Sequence, residues 1–458
     1  MHDAALTSKL NAALQSREQR SLLRHLPQSS SPNSTDIIDF NSNDYLSLRR
    51  SLSLRNAFLT KLAAAPDVLG AGGSRLLVNG TAHAALEERA ARLWRADQAP
   101  GAEVALLFNS GFDANAGLFA CVPQPGDVLV YDAHIHASVH DGARVARVAA
   151  RYAFAHNNVK ALREVLRQAK ATYPALSSRP TASLFLAVES VYSMDGTLAP
   201  LTEMADAIEE EFPFGNAHLI VDEAHATGIY GPCGLGRVAE LGIEGRVLAR
   251  LHTFGKALAG SGAVLLIPPL IKSYLLNYAR PLIYTTAPAY PAVVAADCAL
   301  DVLEDGTAQK LAEDLRSAYA YLVSRLRVEL KDVPKDVVRL PEHLVEADDA
   351  DSSQHNEAPS AFAPIIPLLT PYPRSLAGHL AISSRGAIKE SSDTDRRPIS
   401  ARPIVPPTAT PRVRVCVQAG HTRKELDALV NGVAIWAKNG GWMENGTHEK
   451  VGKRPHKL

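Results

Sequence analysis

The stretch HLIVDEAHATG, residues 218–228, joins a short apolar run to a group of polar side chains. An apolar run of this length is typical of a strand that is buried on both faces of a parallel sheet. Asp222 and His225 follow the run, and side chains at the carboxyl ends of such strands face the crevice in which α/β proteins bind their ligands. The stretch therefore predicts an α/β fold with a functional site around Asp222 and His225.

Further apolar runs on either side of this stretch alternate with segments of helical periodicity. They are VALLF at 104–108, VLVYD at 128–132, VARVA at 145–149, SLFLAVES at 183–190 and GAVLLI at 262–267. The alternation predicts a domain of about seven strands over residues 51–288, with a mostly parallel central sheet covered by helices.

The segments outside this domain differ in pattern. Residues 1–50 predict an amphipathic helix and an extended segment, and residues 289–445 predict long helices followed by a smaller α+β domain. Polar stretches near 344–360 and 383–400 lack the apolar content of a core, and we interpret them as surface insertions. Residues 446–458 form a basic tail.

The composition limits the classes of function. The 458 residues are 46% hydrophobic and 21% charged, which suits a large core, and 48 basic residues balance 48 acidic ones. The absence of net charge argues against a nucleic-acid or anionic-membrane partner. No apolar run reaches the roughly 18 residues of a membrane span. The four scattered cysteines predict no disulfide framework.

Lys256 lies between an apolar run and a glycine-rich one, in LARLHTFGKALAGSGAVLLI, residues 248–267. Burial disfavours a charged amine, so a lysine in such a frame is suited to act as a neutral nucleophile that forms a Schiff base. The cofactor that uses both an imine-forming lysine and a strand-end carboxylate such as Asp222 is pyridoxal phosphate, whose ring nitrogen the carboxylate keeps protonated. The alternative is a lysine whose apolar stem is buried and whose ammonium group reaches solvent.

Two other interpretations of the motifs are weaker. DEAH, residues 222–225, also matches the acidic box of helicases, but the chain has no GxxxxGK[ST] phosphate loop. His134, His136 and His140 lie close to Asp132 and Asp141 in sequence, but the first two are two residues apart in a segment that should turn out of a strand. Both cannot easily face one ion, so the sequence predicts no metal site.

Seven motifs together resemble the α-oxoamine synthases, a pyridoxal-phosphate family with the aspartate-aminotransferase fold, known as fold type I. They are FNSNDYLSL, LGAGGSRLLVNGTAHAALEERAARL, NSGFDAN, HIHAS, ESVYSMDG, IVDEAHATG and HTFGKA, in the family's order and spacing. The resemblance extends from about residue 9 to residue 438, apart from the two polar insertions.

The resemblance implies a role for each matching residue. Lys256 would bind the cofactor aldehyde and later remove the Cα proton of the amino acid, Asp222 would pair with the ring nitrogen, His225 would hydrogen-bond the phenolic oxygen and His136 would stack on the ring. The phosphate would be bound by the backbone N–H groups of Gly111 and Phe112 and by the hydroxyls of Ser193 and Thr253.

The substrates follow from the resemblance as well. Details of the motifs match the branch that condenses L-alanine with pimeloyl-CoA during biotin biosynthesis. Arg414 would bind the amino-acid carboxylate with help from Asn43, and Arg24 would neutralise the far carboxylate of pimeloyl-CoA. The loop RPIVPPTATP departs from the family, because Val405 stands where other members have threonine. A homodimer is expected.

Alternatives remain open at this point. One is a related pyridoxal enzyme that uses another acyl-CoA or ends in transamination. Another is a catalytically silent subunit, but the retention of Lys256, Asp222, His225 and His136 argues against it. The last three residues, His456-Lys457-Leu458, resemble the tripeptide bound by the peroxisomal import receptor. We therefore expect a peroxisomal location if the chain is eukaryotic, and a cytoplasmic one otherwise.

Overall fold

The computed structural model describes residues 3–20, 22–24, 26, 37–94, 104–177, 180–345, 362–382, 397–405 and 410–440. It divides into two compact units, one formed by Asn43–Leu315 and the other by Met1–Ser42 together with Arg316–Leu458. The basic tail and most of both predicted insertions lie outside the described residues. Within the described residues, no helix combines the length and the apolar character that a membrane crossing requires.

The secondary structure alternates between strands and helices through most of the chain. The strands are β1 Ile38–Asp39, β2 Val104–Phe108, β3 Val128–Asp132, β4 Ala150–Phe154, β5 Leu184–Glu189, β6 Ala217–Asp222, β7 Val247–Thr253, β8 Ala263–Ile267, β9 Ile365–Leu369, β10 Ile399–Ser400, β11 Arg402–Ile404 and β12 Arg412–Cys416. The helices are α1 Ala4–Gln19, α2 Leu52–Ala64, α3 Thr81–Leu93, α4 Gly111–Cys121, α5 Ala137–Val145, α6 Val159–Thr172, α7 Leu201–Glu211, α8 Arg237–Leu241, α9 Pro269–Tyr278, α10 Arg280–Ile283, α11 Tyr290–Glu304, α12 Thr307–Leu330, α13 Pro373–Ile382 and α14 Arg423–Lys438.

The larger unit is built on a seven-stranded sheet in the order β2-β8-β7-β6-β5-β3-β4. Strand β8 runs antiparallel to both of its neighbours, while the pairs from β7 to β4 are parallel. Two hydrophobic clusters cover the sheet, and every residue of β5 is buried. The structure thus confirms the mostly parallel sheet covered by helices.

Two strands differ from the sequence-based expectation. The run VARVA at 145–149 is not a strand, because α5 continues to Val145 and β4 begins only at Ala150. Strand β7 was not among the runs assigned to the sheet from the sequence, and it contains Arg250 and His252. Both side chains are nevertheless buried, at 0% and 1% exposure. Tertiary packing in the centre of the sheet therefore overrides the local pattern.

The smaller unit contains a three-stranded antiparallel sheet in the order β11-β12-β9, together with α13 and α14. Met1–Ser42 belongs to this unit, whereas the sequence pattern predicted a separate N-terminal segment over residues 1–50. Strand β1 pairs in parallel with β10, and the N–H of Cys416 donates to the carbonyl of Phe40 at 2.8 Å. Pairing between such distant segments leaves no local signal in the sequence.

The boundary between the units falls inside α12 and not at residue 288, where the sequence pattern had placed it. Helix α11 remains with the larger unit because it packs against α2 and α3. Lys61 Nζ lies 2.9 Å from Asp301 Oδ2, and Arg89 Nη2 lies 2.7 Å from Glu304 Oε2. These ion pairs are partly exposed and stabilise the contact only modestly.

Candidate active site

A cavity of about 210 Å³ opens in the larger unit, at the carboxyl edge of the sheet. Its walls come from the ends of β5, β6 and β7, from the start of α4 and from the residue preceding α5. The lining residues are Gly111, Phe112, His136, Glu189, Asp222, Ala224, His225, Leu251, Thr253, Gly255 and Lys256. Seven residues that the motifs singled out are therefore brought together: Gly111, Phe112, His136, Asp222, His225, Thr253 and Lys256.

Asp222 is the last residue of β6, and its carboxylate is 8% exposed. One carboxylate oxygen accepts the Ala224 N–H at 2.9 Å, and the other accepts the amide N–H of Asn115 at 2.8 Å. These two bonds fix the direction of the carboxylate. Each oxygen retains a lone pair, so the group can accept a further hydrogen bond from a ring N–H.

His136 caps the N-terminus of α5 and is tied to Asp222 through two side chains. Asn115 also donates to Ser138 Oγ at 3.1 Å, and Ser138 Oγ lies 2.8 Å from His136 Nδ1. The backbone N–H of Ser138 donates to the same nitrogen at 3.3 Å. Because Nδ1 is an acceptor, the neutral ring carries its proton on Nε2.

The His136 environment favours the neutral imidazole. Burial lowers its pKa below the ordinary value; Asp222 acts in the opposite direction, and the nearby Lys256 and His140 lower the pKa further. A neutral, fixed ring can lie against a flat aromatic ligand without adding charge to the site.

His225 is 4% exposed and forms a second network through the segment that follows β1. Its Nδ1 lies 2.7 Å from the hydroxyl of Tyr45, which is itself fully buried. The Tyr45 hydroxyl donates to Asn43 Oδ1 at 3.1 Å. Asn43 thus lies next to the Tyr45–His225 pair, and its role in substrate binding stays a prediction.

Lys256 lies in the turn between β7 and β8, where Phe254 is fully buried. The Gly260 N–H donates to the Phe254 carbonyl at 2.8 Å, and the Ala259 N–H donates to the Lys256 carbonyl at 3.0 Å. The turn forces Ala259 to a φ of 52°, in the left-handed region that residues with a side chain rarely adopt. The Lys256 residue itself is half-buried. The hydrogen bonds of the turn and the buried Phe254 hold the backbone that carries it in one conformation.

The first turn of α4 supplies an anion-binding geometry close to this lysine. Ser110 caps the helix by accepting the Asp113 N–H at 3.1 Å, which leaves the backbone at Gly111 and Phe112 facing the cavity. A Cβ on Gly111 would lie 3.8 Å from the Thr253 Cβ, so the helix start and the end of β7 are in contact. Ser193 is described but is not among the lining residues, and its N–H donates to Glu189 Oε2 at 3.3 Å.

Glu189 ends β5 and is 2% exposed, and the motif analysis gave it no role. Burial raises the pKa of Glu189 well above its ordinary value, and the neighbouring Asp222 raises it further. Its Oε1 is buried and has no hydrogen-bond partner in the described chain. A buried orphan oxygen is costly, and its position in the cavity wall indicates that a polar ligand completes the site.

The two predicted substrate arginines belong to the smaller unit. Arg414 in β12 is 4% exposed, while Arg24 is exposed. A third arginine, Arg402 in β11, is the cross-strand neighbour of Arg414. The pKa of Arg402 is lowered first by burial and then by the nearby Arg414 and Arg24. Arg24, Arg402 and Arg414, here called the arginine group, concentrate positive charge that suits an anionic ligand.

Four residues of the site were not singled out from the sequence: Tyr45, Asn115, Ser138 and Glu189. All four lie inside quoted motifs, so their presence was noted but their contacts were not. For Asn115 a signal did exist, because it follows Gly111 by one helical turn and therefore lies on the same face of α4.

The chain matches the family "Aminotransferase class I and II" over residues 35–433 and belongs to that family. Among curated relatives, the 8-amino-7-oxononanoate synthase of Emericella nidulans is 39% identical over 94% of this chain and 96% of its own. The aminoacyl transferase sphA of Aspergillus fumigatus is 35% identical over 86% of this chain and 80% of its own. A serine palmitoyltransferase from S. paucimobilis, solved with a PLP–myriocin adduct, has the same fold, with a TM-score of 0.72 and 21% identity over 96% of this chain and 100% of its own.

The chain is therefore a pyridoxal-phosphate-dependent acyltransferase of the α-oxoamine synthase type. The described residues fit that cofactor. The Lys256 amine, the oriented Asp222 carboxylate, the neutral His136 ring and the N-terminus of α4 line one cavity. In the wall of the same cavity, Glu189 Oε1 is buried without a hydrogen-bond partner among the described residues. The kinds of substrate that belong to this enzyme class are an amino acid and an acyl-CoA.

Proposed function

We propose that the enzyme condenses L-alanine with pimeloyl-CoA to give 8-amino-7-oxononanoate, CoA and CO2, a step of biotin biosynthesis. The observation that carries the proposal is the 39% identity to a synthase of that name, which spans nearly the full length of both chains. The seven motifs support the same branch.

The polar groups that the motifs singled out in the cavity each have a part in the proposed reaction. Pyridoxal phosphate, when bound, supplies the electron sink for the carbanion formed at the amino-acid Cα. Lys256 would hold the cofactor through its amine, and the same amine, when free and neutral, would remove the Cα proton of the amino acid as a base. Asp222, aimed by Asn115 and Ala224, accepts a hydrogen bond from the ring nitrogen.

The remaining groups bind and orient. Neutral His136 would lie against the ring, and His225 would hydrogen-bond the phenolic oxygen. The N–H groups of Gly111 and Phe112 bind phosphate at the start of α4, with the Thr253 hydroxyl beside them, because a helix N-terminus presents unpaired donors. Ser193 is proposed as a further phosphate ligand.

The arginine group is proposed to bind the substrate carboxylates. Arg414 would bind the carboxylate of alanine as a planar, two-pronged donor, supported by Asn43. Arg24 would neutralise the far carboxylate of the pimeloyl chain. The mutual repulsion that lowers the pKa of Arg402 is relieved when an anion binds, which supports this assignment.

We also propose a homodimer. Leu6, Leu10 and Leu14 recur along α1 at a spacing of four residues and are each more than half exposed, so this stripe supports a subunit contact. Light scattering coupled to size exclusion measures the mass directly. A monomer at micromolar concentration would contradict the proposal.

A peroxisomal location is proposed on the terminal tripeptide His456-Lys457-Leu458, which lies outside the described residues. A fluorescent fusion that keeps the free C-terminus should colocalise with peroxisomes, and removal of the three residues should disperse it. An unchanged distribution after the removal would refute the import signal.

A second candidate is an α-oxoamine synthase with other substrates, favoured by the 35% identity to aminoacyl transferases named sphA. A panel of acyl-CoAs with alanine, serine or glycine, followed by CoA release, separates the candidates. The highest kcat/KM for pimeloyl-CoA with alanine supports the proposed reaction. Faster turnover of a long-chain acyl-CoA with another amino acid supports the second candidate instead.

A further inference from the structure

Three side chains outside the cavity wall form a compact group, here called the His134 cluster: His134, His156 and Asp195. One ring nitrogen of each histidine and one carboxylate oxygen of Asp195 all lie within 4.8 Å of one another. His134 Nδ1 lies 3.0 Å from Asp195 Oδ2. The two imidazole rings are stacked, with centroids 4.1 Å apart and planes inclined by 17°. Residues distant in sequence thus converge at the ends of β3, β4 and β5.

Asp132 fixes the orientation of one of these rings. This carboxylate is fully buried, and His156 Nδ1 lies 2.8 Å from its Oδ1. The same carboxylate accepts the backbone N–H of His134 at its Oδ1 and that of Asn157 at its Oδ2, both at 2.8 Å. Because Asp132 acts as an acceptor towards these groups, His156 Nδ1 carries the hydrogen of the bond between them.

The opposite nitrogen of His156 is therefore a lone-pair site. His156 Nε2 lies 2.8 Å from the hydroxyl of Thr197, which donates to it. A carboxylate that holds one nitrogen of a histidine so that the other can donate its lone pair is the arrangement found behind most metal-bound histidines. A threonine hydroxyl can rotate away when another group approaches that nitrogen.

The charges around the cluster favour a cation. Asp132 and Asp195 contribute two negative charges beside the two imidazole rings. The cluster side chains are 35%, 18% and 14% exposed for His134, His156 and Asp195, which leaves a path for an ion and for water.

We propose that the His134 cluster binds one divalent transition-metal ion such as Zn²⁺ through two imidazole nitrogens and the Asp195 carboxylate, with water completing the coordination. Imidazole and carboxylate suit zinc, at distances of about 2.0–2.2 Å. Tetrahedral ligands at those distances are about 3.4 Å apart, so binding an ion would draw the three ligand atoms together and turn the two rings out of their stacked arrangement.

The site would connect two segments that carry cofactor ligands. His134 lies two residues before His136, and Asp195 lies two residues after Ser193. An ion between them would hold both segments in place and stabilise the folded protein. This role is independent of which acyl-CoA the enzyme uses.

The test uses the cofactor-loaded enzyme, freed of metals by a chelator and then titrated with Co²⁺, whose visible absorption reports tetrahedral coordination, and with Zn²⁺ in a calorimeter. We expect one equivalent to bind and Zn²⁺ to raise the melting temperature. His134→Gln and Asp195→Asn should each weaken binding by about tenfold or more.

The matched control is His140→Gln, a nearby histidine of α5 that is not in the cluster, and it should bind as the wild type does. Circular dichroism and the visible absorption of the cofactor show that each variant is folded and loaded. The proposal is overturned if the wild type binds no stoichiometric ion, or if folded His134→Gln and Asp195→Asn both bind Co²⁺ with wild-type affinity.

Discussion

The cavity of the larger unit and the arginine group of the smaller unit differ in how their charges are arranged. In the cavity, acidic and basic groups alternate, and hydrogen bonds with Asn115, Ser138 and Tyr45 fix Asp222, His136 and His225 in place, respectively. In the arginine group, like charges are gathered, and burial and repulsion lower the pKa of Arg402.

The difference indicates two kinds of binding. A preorganised network suits a cofactor that stays bound through every turnover, because its groups need no rearrangement. The repulsion within a group of like charges is relieved when an anion binds, which suits substrates that bind and are released in every turnover. Substitutions in the cavity should therefore change catalysis and cofactor retention, whereas those in the arginine group should change KM.

The largest effect is expected for Lys256→Ala. Without the amine, the cofactor has no covalent attachment and the Cα proton has no base, so kcat should fall by about 10²–10⁴-fold. The visible absorption of the cofactor imine should be lost, and borohydride should no longer add the cofactor mass. Lys160→Ala, at an exposed position of α6, serves as the control. A wild-type imine band in Lys256→Ala would assign the attachment to another lysine.

Arg414→Lys tests the other side of the comparison. A planar guanidinium can donate two parallel hydrogen bonds to a carboxylate and an ammonium cannot, so we expect the KM for the amino acid to rise by about 10–100-fold with little change in kcat. Steady-state kinetics with varied amino acid measure both constants. Arg412→Lys makes the same change two residues away in β12 and should leave KM unaltered. A fall in kcat with constant KM would place Arg414 in the chemistry instead.

The sequence predicted the cavity better than the rest of the molecule. Lys256, Asp222 and His225 are strand-end residues in local motifs, and a parallel sheet necessarily brings such ends to one edge. The division of the chain was harder to predict, since β1 pairs with β10 more than 350 residues away. Asn115 acts through hydrogen bonds to Asp222 and Ser138, which are distant in the chain, and a single sequence does not reveal such contacts.

Asn115→Ala should have an intermediate effect. The change leaves an Asp222 oxygen and the Ser138 hydroxyl without their shared donor, a loss of about 1–3 kcal/mol for buried groups. We expect weaker cofactor retention and a lower melting temperature, measured by dialysis and by calorimetry. Asn277→Ala, at an exposed position of α9, should leave both unaltered. Wild-type retention would show that Asp222 does not depend on the network.

The smallest effect concerns Glu189, whose raised pKa gives it an unusual pH dependence. A carboxyl group with a raised folded-state pKa stabilises the fold fully below its unfolded pKa of about 4.5, and this contribution is lost as pH rises through the folded-state value. Glu189→Gln mimics the protonated acid, so the cofactor-free variant should melt higher than the wild type at neutral pH, by about 2–4 °C, and the difference should shrink towards pH 5.

Glu211→Gln makes the same chemical change with the opposite sign. Burial acts to raise the pKa of Glu211, but its ion pairs with Lys170 and Arg167 outweigh burial and lower the pKa. Its contribution is therefore present above pH 4.5 and lost as pH falls, so Glu211→Gln should melt lower than the wild type at neutral pH. If Glu189→Gln also melted lower than the wild type at neutral pH, Glu189 would be an ionised carboxylate with a cationic partner, as Glu211 is.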